Sequence, residues 1–131
     1  MTTYLLDAEV LIALTVAEHE HHERAATWAA TIDRFAVCPV VEGALIRFLV
    51  RIGESAAAAT EVLRAVRGLP RCEFWRDSVS YTEVGLAQVR GSRQVTDAYL
   101  VALAQVNGGL LATLDEALAV EFADTTLLLG S

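Results

Sequence analysis

Short runs of apolar residues alternate with longer stretches of helical periodicity along the whole chain. Each run is only a few residues long and stops at a polar or helix-breaking residue, which is typical of buried strands. The pattern predicts strands at residues 4–6, 35–38, 110–113 and 125–129, with a weaker candidate at 72–75.

Between these runs, apolar residues recur at spacings of three and four, which indicates amphipathic helices. Helices are predicted over about 8–16, 25–32, 40–52, 55–69, 82–89, 96–106 and 115–120. Ser55 is the expected N-cap of the fourth helix, and Gly53 and Gly68 are expected stops. The helix over 96–106 is apolar nearly all round, so we expect it to lie deep in the fold.

Strands that alternate with helices imply a parallel sheet covered on both faces. The predicted fold class is α/β: a doubly wound, three-layer α/β/α sandwich with a short, mostly parallel central sheet. The chain has 131 residues, is 54% hydrophobic and shows no linker or repeat, so we expect one domain over 1–131. A membrane span needs about 20 uninterrupted apolar residues. Neither such a stretch nor a basic leader is found, so we expect a cytoplasmic protein.

The charge balance restricts the possible substrates. The net charge is −7, and all 10 basic residues are arginines. An acidic surface is a poor general binder of nucleic acid, because affinity for phosphates comes from cationic contacts. A nucleic-acid substrate would need bound divalent cations, supplemented by arginines, to offset the negative site. Cys38 and Cys72 lie far apart in apolar surroundings and are expected to be free thiols.

Four carboxylates are predicted at one edge of the sheet. Asp7 directly follows the first strand, and Glu42 lies at the start of the helix after the second. Asp115 comes shortly after the strand at 110–113, and Asp97 opens the buried helix. Ligands of open parallel sheets bind beyond the carboxyl ends of the strands, near the point where the strand order reverses. We therefore expect the four side chains to converge there.

Such a cluster needs a physical cause. Carboxylates in one cleft repel one another, at about 1.4 kcal/mol for each unit of pKa shift. A bound cation removes this repulsion, and hard oxygen ligands favour Mg²⁺ or Mn²⁺. The alternative is that each carboxylate only caps a helix or meets its dipole, which stabilises by roughly 0.3–1 kcal/mol. Capping explains any one of them, whereas four at one edge favour a metal site.

Four sequence blocks carry a family resemblance. They are LLDAEVLI around Asp7, CPVVE ending at Glu42, QVTDAYL around Asp97 and ATLD ending at Asp115. In order and spacing they resemble the successive blocks of PIN-domain proteins. More narrowly, they are similar to the VapC toxins of bacterial VapBC toxin–antitoxin pairs.

The resemblance implies an endoribonuclease that depends on Mg²⁺ or Mn²⁺ and inhibits translation as the toxin of a type II pair. Its substrate would be transfer, ribosomal or messenger RNA, cut by a metal-activated water. A cognate VapB-type antitoxin would hold it inactive, and the toxin would form a homodimer.

The resemblance also assigns site residues. The catalytic set that it implies is Asp7, Glu42, Asp97 and Asp115, and the metal ligands among them are Asp7, Asp97 and Asp115. Thr113 and Thr96 take supporting positions, and the hydroxyl of Thr113 would orient a carboxylate or a water. Arg93, just before the helix of Asp97, is the candidate contact for an RNA phosphate.

A few further residues are interpreted from their surroundings. Glu9 stands where family members often have Asn, and we expect it to point away from Asp7, since positions i and i+2 do not share a helix face. Trp75 is expected to be more open than the other tryptophan. Exposed positions near a helix start are expected for the histidines, which are His19, His21 and His22.

Other functions fit the composition less well. A response-regulator receiver domain also has an acidic Mg²⁺ pocket, but it needs a lysine to meet the phosphoryl group. A haloacid-dehalogenase-type phosphatase needs two aspartates after the first strand, where this chain has Asp7 and Glu9. The alternative that stays open is a catalytically weak or inactive PIN-fold binding module whose acidic cleft docks an arginine-bearing partner peptide.

Overall fold

A computed structural model describes residues 1–130 of the chain. The strands are β1 (Thr3–Leu6), β2 (Arg34–Val37), β3 (Cys72–Phe74), β4 (Leu110–Thr113) and β5 (Thr126–Leu128). The helices are α1 (Ala8–Thr15), α2 (His22–Ala29), α3 (Pro39–Arg51), α4 (Ala56–Arg67), α5 (Ser92–Val106) and α6 (Glu116–Glu121). Each predicted strand is present. Within the described residues, no helix has the length and apolar character needed to cross a membrane.

The five strands form one sheet in the order β3-β2-β1-β4-β5, and every neighbouring pair is parallel. The predicted α/β class is confirmed, and the sheet is parallel throughout rather than mostly parallel. The chain moves outward from β1 to β3, crosses back to β4 and ends at β5. The strand order therefore reverses between β1 and β4, where Leu5 lies opposite Leu111.

The helices cover both faces of the sheet. α1 packs against α2 and α3, and α3 packs against α4. α5 packs on β1 and β4, and α6 packs on β4 and β5. Right-handed crossovers place connections made toward β3 on one face and connections made toward β5 on the other. The helices α1 to α4 thus form one layer and α5 and α6 the other, which confirms the three-layer sandwich.

The core runs along the central strands and the inner side of α5. Leu5, Leu6 and Leu111 have 0% exposed surface, as expected for strands covered on both faces. Tyr99 and Leu103 of α5 are buried with them, at 2% and 0% exposure. The predicted depth of this helix is confirmed.

Local signals set the ends of the two long helices before β3. Pro39 is the first residue of α3, where its missing N–H costs nothing. Gly53 follows the helix with φ of 107°, a left-handed backbone that favours glycine. Ser55 caps α4, because its hydroxyl accepts from the backbone N–H of Ala58 at 3.0 Å.

The helix predicted over 82–89 is wrong. The chain forms only a single 3₁₀ turn at Tyr81–Glu83, closed by reciprocal hydrogen bonds between Ser80 and Glu83. Val84 then leaves the turn with an extended backbone, which buries its side chain to 9% exposure. Burial of this valine stabilises the extended backbone, and the weak apolar periodicity after it is not enough to form a helix.

The start of α5 differs from the prediction by about one turn. The Gln94 side chain accepts from the backbone N–H groups of Arg90 and Gly91 at 2.6 and 3.3 Å, so the helix begins at Ser92. Asp97 therefore lies in the second turn rather than opening the helix. The favourable field of the helix N-terminus falls off within the first turn, so it does not account for this carboxylate.

Gly109 lies just before β4 at a point of close approach. A Cβ there would stand 2.3 Å from the carbonyl oxygen of Thr3 and 2.8 Å from Cη2 of Trp75. Trp75, which the sequence predicted to be open, is buried at 7% exposure, and its indole N–H donates to Glu73 Oε1 at 3.1 Å. No side chain fits at position 109.

We expect Gly109→Ala to lower the free energy of unfolding by about 1–3 kcal/mol, because the methyl group must displace backbone and a buried ring. Gly85→Ala is the matched control, since nothing lies within 4 Å of the Cβ it would add. We expect it to stay within about 0.5 kcal/mol of the parent protein. Urea unfolding followed by circular dichroism measures both, and equal midpoints would contradict the close approach at Gly109.

Candidate active site

An open cleft lies at the carboxyl ends of β1 and β4, where the strand order reverses. Its volume is about 590 Å³. Its polar lining combines carboxylates, guanidinium groups, an imidazole and a hydroxyl, from Asp7, Glu9, His19, Arg47, Arg93, Thr96, Asp97 and Asp115. These side chains come from the β1–α1 and β4–α6 turns, from the two helical layers and from the loop after α1. The cleft lies at the edge of the sheet where the sequence predicted that a ligand binds.

Asp7 occupies the turn from β1 into α1. Its backbone N–H donates to the carbonyl of Ala112 at 3.0 Å, which continues the β1–β4 pairing by one residue. Its carboxylate caps α1 by accepting from the N–H of Ala8 at 2.8 Å. The other carboxylate oxygen accepts from the hydroxyl of Thr113 at 2.8 Å. Asp7 is therefore held by three separate contacts.

Thr113 is the last residue of β4 and has 0% exposed surface. Its hydroxyl donates to Asp7 Oδ2 and accepts from the backbone N–H of Asp115 at 3.0 Å. This uses the single donor of the hydroxyl and one of its acceptor positions. Thr113 thus links the two turns that carry Asp7 and Asp115, which is the orienting arrangement that the resemblance implies for it.

Asp115 and Asp97 complete the acidic group from the other side of the sheet. Asp115 caps α6, since its Oδ1 accepts from the N–H of Leu118 at 3.1 Å, and the residue is otherwise exposed. Asp97 is partly buried in the second turn of α5. Thr96 and Arg93 line the same cleft from α5, both exposed.

Burial and mutual repulsion shift the titration of two carboxylates. Desolvation raises the pKa of Asp7 above its ordinary value, Asp115 and Glu9 add to the rise, and hydrogen bonds from Thr113 and Ala8 oppose it. Desolvation also raises the pKa of Asp97, to about 6, reinforced by Asp7 and Asp115 and opposed by Arg93. Asp115 contributes to the raised pKa of both Asp7 and Asp97, so we treat the three carboxylates as one electrostatic unit.

Glu42 lies apart from this unit. Its Oε2 accepts from the Arg67 guanidinium at 3.1 Å, and the carboxylate side chain is 16% exposed. The same guanidinium lies over the Phe74 ring, 4.2 Å from its centroid. The side chain of Glu42 therefore points toward α4, whereas its neighbours Val40 and Val41 line the cleft.

The sequence did not predict that three further residues would line the cleft. Glu9 lines the cleft and raises the pKa of Asp7, so the expectation that it points away was wrong. His19 reaches the cleft because the loop after α1 turns back, which no spacing in the sequence signals. Arg47 also lines the cleft. The sequence signal that could have identified it is Gly43, one turn earlier in α3, which leaves space for the arginine side chain.

The donor set fits a hard divalent cation. Within residues 1–130, no three His, Cys, Asp or Glu side chains stand together closely enough to enclose an ion by themselves. Mg²⁺ usually keeps several waters and binds through one or two carboxylates, so a complete protein cage is not required. Asp7, Asp97 and Asp115 supply oxygen donors, and their repulsion is what a cation would relieve.

Curated proteins resemble this chain over nearly its full length. Residues 4–122 match the model of the PIN domain family. The chain is 55% identical over 128 residues to Ribonuclease VapC29 of Mycobacterium tuberculosis, covering 97% of this chain and 96% of that protein. It is 37% identical over 128 residues to Ribonuclease VapC39 of the same organism, covering 89% and 91%.

Solved structures share the fold at low sequence identity. Mycobacterium tuberculosis VapC20, a Sarcin-Ricin loop cleaving toxin, superposes with a TM-score of 0.70 at 18% identity over 91% of this chain and 95% of that one. A chain of VapBC2 from Rickettsia felis, bound to a DNA fragment from its promoter, gives 0.66 at 13% identity over 98% and 100%. The family match and the near full-length identities lead to one conclusion: the chain belongs to the PIN-domain family, among the VapC-type toxins.

Proposed function

We propose that this protein is a cytoplasmic endoribonuclease, dependent on Mg²⁺ or Mn²⁺, that acts as the toxin of a type II toxin–antitoxin pair and inhibits translation. The observation that carries the proposal is the convergence of Asp7, Asp97 and Asp115 in one cleft, two of them desolvated. The name of the 55% identical relative, Ribonuclease VapC29, supports RNA as the substrate class. The substrate would be transfer, ribosomal or messenger RNA.

In this proposal Asp7, Asp97 and Asp115 hold the ion. When bound, the ion supplies Lewis-acid chemistry, making a water acidic enough to attack phosphorus and offsetting charge on the leaving oxygen. Thr113 keeps the Asp7 carboxylate oriented and favours its ionised form, which an ion requires. Arg93, at the mouth of the cleft beside Asp97, binds a phosphate, and Thr96 supports the same wall.

Glu42 belongs to the proposed catalytic set through a change of rotamer. The backbone of α3 carries it next to Val40 and Val41, which line the cleft. Its partner Arg67 is 42% exposed, and ion pairs with that much solvent access contribute only about 0–1 kcal/mol. A bound ion and its waters therefore compete readily with Arg67 for this carboxylate.

The partners of the proposed toxin are a VapB-type antitoxin and a second copy of the chain. The complex from Rickettsia felis contains the two members of such a pair. An antitoxin that inserts a guanidinium among Asp7, Asp97 and Asp115 would offset their repulsion, much as a divalent metal ion would.

A second function is favoured by one observation. Glu9 adds a fourth carboxylate to the cleft and could hold an arginine side chain without any metal. The chain would then be a catalytically weak or inactive binding module for an arginine-bearing peptide. Peptide binding in EDTA, with no RNA cut in Mn²⁺, would identify this function.

Removal of the metal or of Asp7 is the primary test. We expect RNA cleavage in Mn²⁺ to stop in EDTA and to fall by more than about 100-fold in Asp7→Asn, which keeps the shape of the residue but weakens ion binding. Mn²⁺ should raise the melting temperature of the parent protein, because the ion binds only the folded state. Asp124→Asn, an exposed position outside the cleft, is the control. Cleavage that persists in EDTA would contradict the proposal.

Desolvation of Asp97, reinforced by repulsion from Asp7 and Asp115, predicts a pH-dependent gain of stability in a variant. Because the pKa of Asp97 is raised to about 6 in the folded protein, its ionised form destabilises the fold. The penalty is absent below about pH 4, grows between about pH 4 and 6 and is complete above that range.

After allowance for solvent screening of this partly exposed carboxylate, we expect Asp97→Asn in EDTA to be more stable than the parent by about 1–2 kcal/mol at pH 7.5, and equal to it near pH 4. Urea unfolding across this range measures the difference, with Asp124→Asn expected to show none. A variant less stable than the parent at pH 7.5 would indicate a structural role for Asp97. Cleavage should be lost in the same variant.

The Thr113 hydroxyl can be tested without changing the shape of the residue. We expect Thr113→Val to reduce cleavage by about 10–100-fold, since Asp7 loses its orienting donor. It should also lower the free energy of unfolding by about 1–3 kcal/mol, because the Asp115 N–H loses its acceptor. Thr113→Ser retains the hydroxyl and should keep most of the activity. Equal activity in the valine and serine variants would argue against the linking role.

A further inference from the structure

The arginines divide into two groups by their contacts. Within residues 1–130, those with a protein hydrogen-bond partner are Arg24, Arg34, Arg64, Arg67 and Arg71. Those whose guanidinium has no such partner among the same residues are Arg47, Arg51, Arg76, Arg90 and Arg93. From the second group, the cleft takes Arg47 and Arg93. These two cations remain available to an anionic ligand.

Arg47 is positioned by the residue one turn before it in α3. Its terminal nitrogen lies 3.2 Å from where a Cβ on Gly43 would stand. Helical side chains lean toward the helix N-terminus, and α3 begins at the carboxyl end of β2. Because Gly43 has no side chain, the guanidinium lies back along the helix toward the edge of the sheet that carries the carboxylates.

The two guanidiniums reach the cleft from opposite layers of the sandwich. Arg47 comes from α3 in one layer and Arg93 from α5 in the other, with the carboxylates between them. We propose that Arg47 binds a phosphate of single-stranded RNA adjacent to the phosphate that is cut. The inference deepens the ribonuclease function proposed above and rests on it.

The placement of Arg47 favours the adjacent phosphate over the cut one. Arg93 lies one turn before Asp97 on α5 and lines a second pocket together with Asp97 and Asp115, whereas Arg47 does not line that pocket. Arg47 reaches the cleft from α3, in the other helical layer, and therefore lies further from Asp97 and Asp115. Phe48, next to it in α3, also lines the cleft and is partly exposed, which offers a surface on which the intervening base can stack.

Arg47→Ala tests the inference, with Arg51→Ala as the matched control. Arg51 is exposed one turn further along α3, has no partner among the described residues and does not line the cleft. The probe is a fluorescein-labelled single-stranded RNA oligonucleotide, followed by anisotropy in EDTA over a series of salt concentrations. We expect Arg47→Ala to raise Kd about ten-fold. The dependence of log K on log salt should become shallower by about 0.7, the value for one phosphate contact on a single strand.

Cleavage in Mn²⁺ provides a second readout. We expect Arg47→Ala to raise KM about ten-fold with kcat within about two-fold, because the lost contact acts on binding and not on the reacting phosphate. Arg51→Ala should match the parent protein in KM, kcat and salt dependence.

Gly43→Ala separates binding from folding. The added methyl group favours the helix and should raise the melting temperature, but it displaces the Arg47 guanidinium. We therefore expect a more stable protein that binds RNA more weakly, a combination that a folding defect cannot produce.

The outcomes distinguish this inference from the function on which it rests. A parent protein that cuts RNA, with Arg47→Ala and Arg51→Ala equal in KM and salt dependence, overturns the role of Arg47 and leaves the ribonuclease standing. A parent protein that cuts no RNA in Mn²⁺ overturns the proposed function. In that case equal Kd values for the two variants in EDTA overturn the role of Arg47 as well.

Discussion

The hydroxyl of Thr113 joins the two halves of the candidate site. This hydroxyl, on a residue with no exposed surface, donates to Asp7 at the end of β1 and accepts from the backbone N–H of Asp115 after β4. Because these residues belong to paired strands or the turns directly after them, the positions of the carboxylates follow from the sheet and not from mobile loops. A site carried on rigid elements keeps its donors in place before any ligand arrives.

This arrangement destabilises the metal-free protein electrostatically. The fold places Asp7 and Asp97 in partly buried positions, and desolvation is the largest cause of the raised pKa of both. In the apo protein such a cluster opposes folding, and the parallel sheet and the buried face of α5 must outweigh it. The same tension favours any cation that enters, whether a divalent ion or a guanidinium. The electrostatic penalty on these carboxylates therefore both lowers the stability of the metal-free protein and strengthens the binding of a cation.

The sequence predicts the parts of the site that depend on the chain near them. Asp7 and Asp115 directly follow strands that are clear from their apolar pattern, and the rule for open parallel sheets then gives their location. This rule does not predict contacts between elements that are far apart in the sequence. The direction of Glu42 depends on how α4 packs against α3, and the arrival of His19 depends on the path of the loop after α1. Asp97 was expected one turn too early in its helix, because the capping role of a glutamine side chain is weak in the sequence pattern.

The bond between Thr113 and Asp7 spans 106 positions of the chain. β1 is made well before β4, and the Asp7 carboxylate that follows it lacks its Thr113 donor until β4 has left the ribosome and closed that large loop, a step that is slow relative to local helix formation. A partly synthesised chain therefore carries none of the assembled site. For a ribonuclease toxin, this order of events keeps the candidate site incomplete until nearly all of the chain has been made.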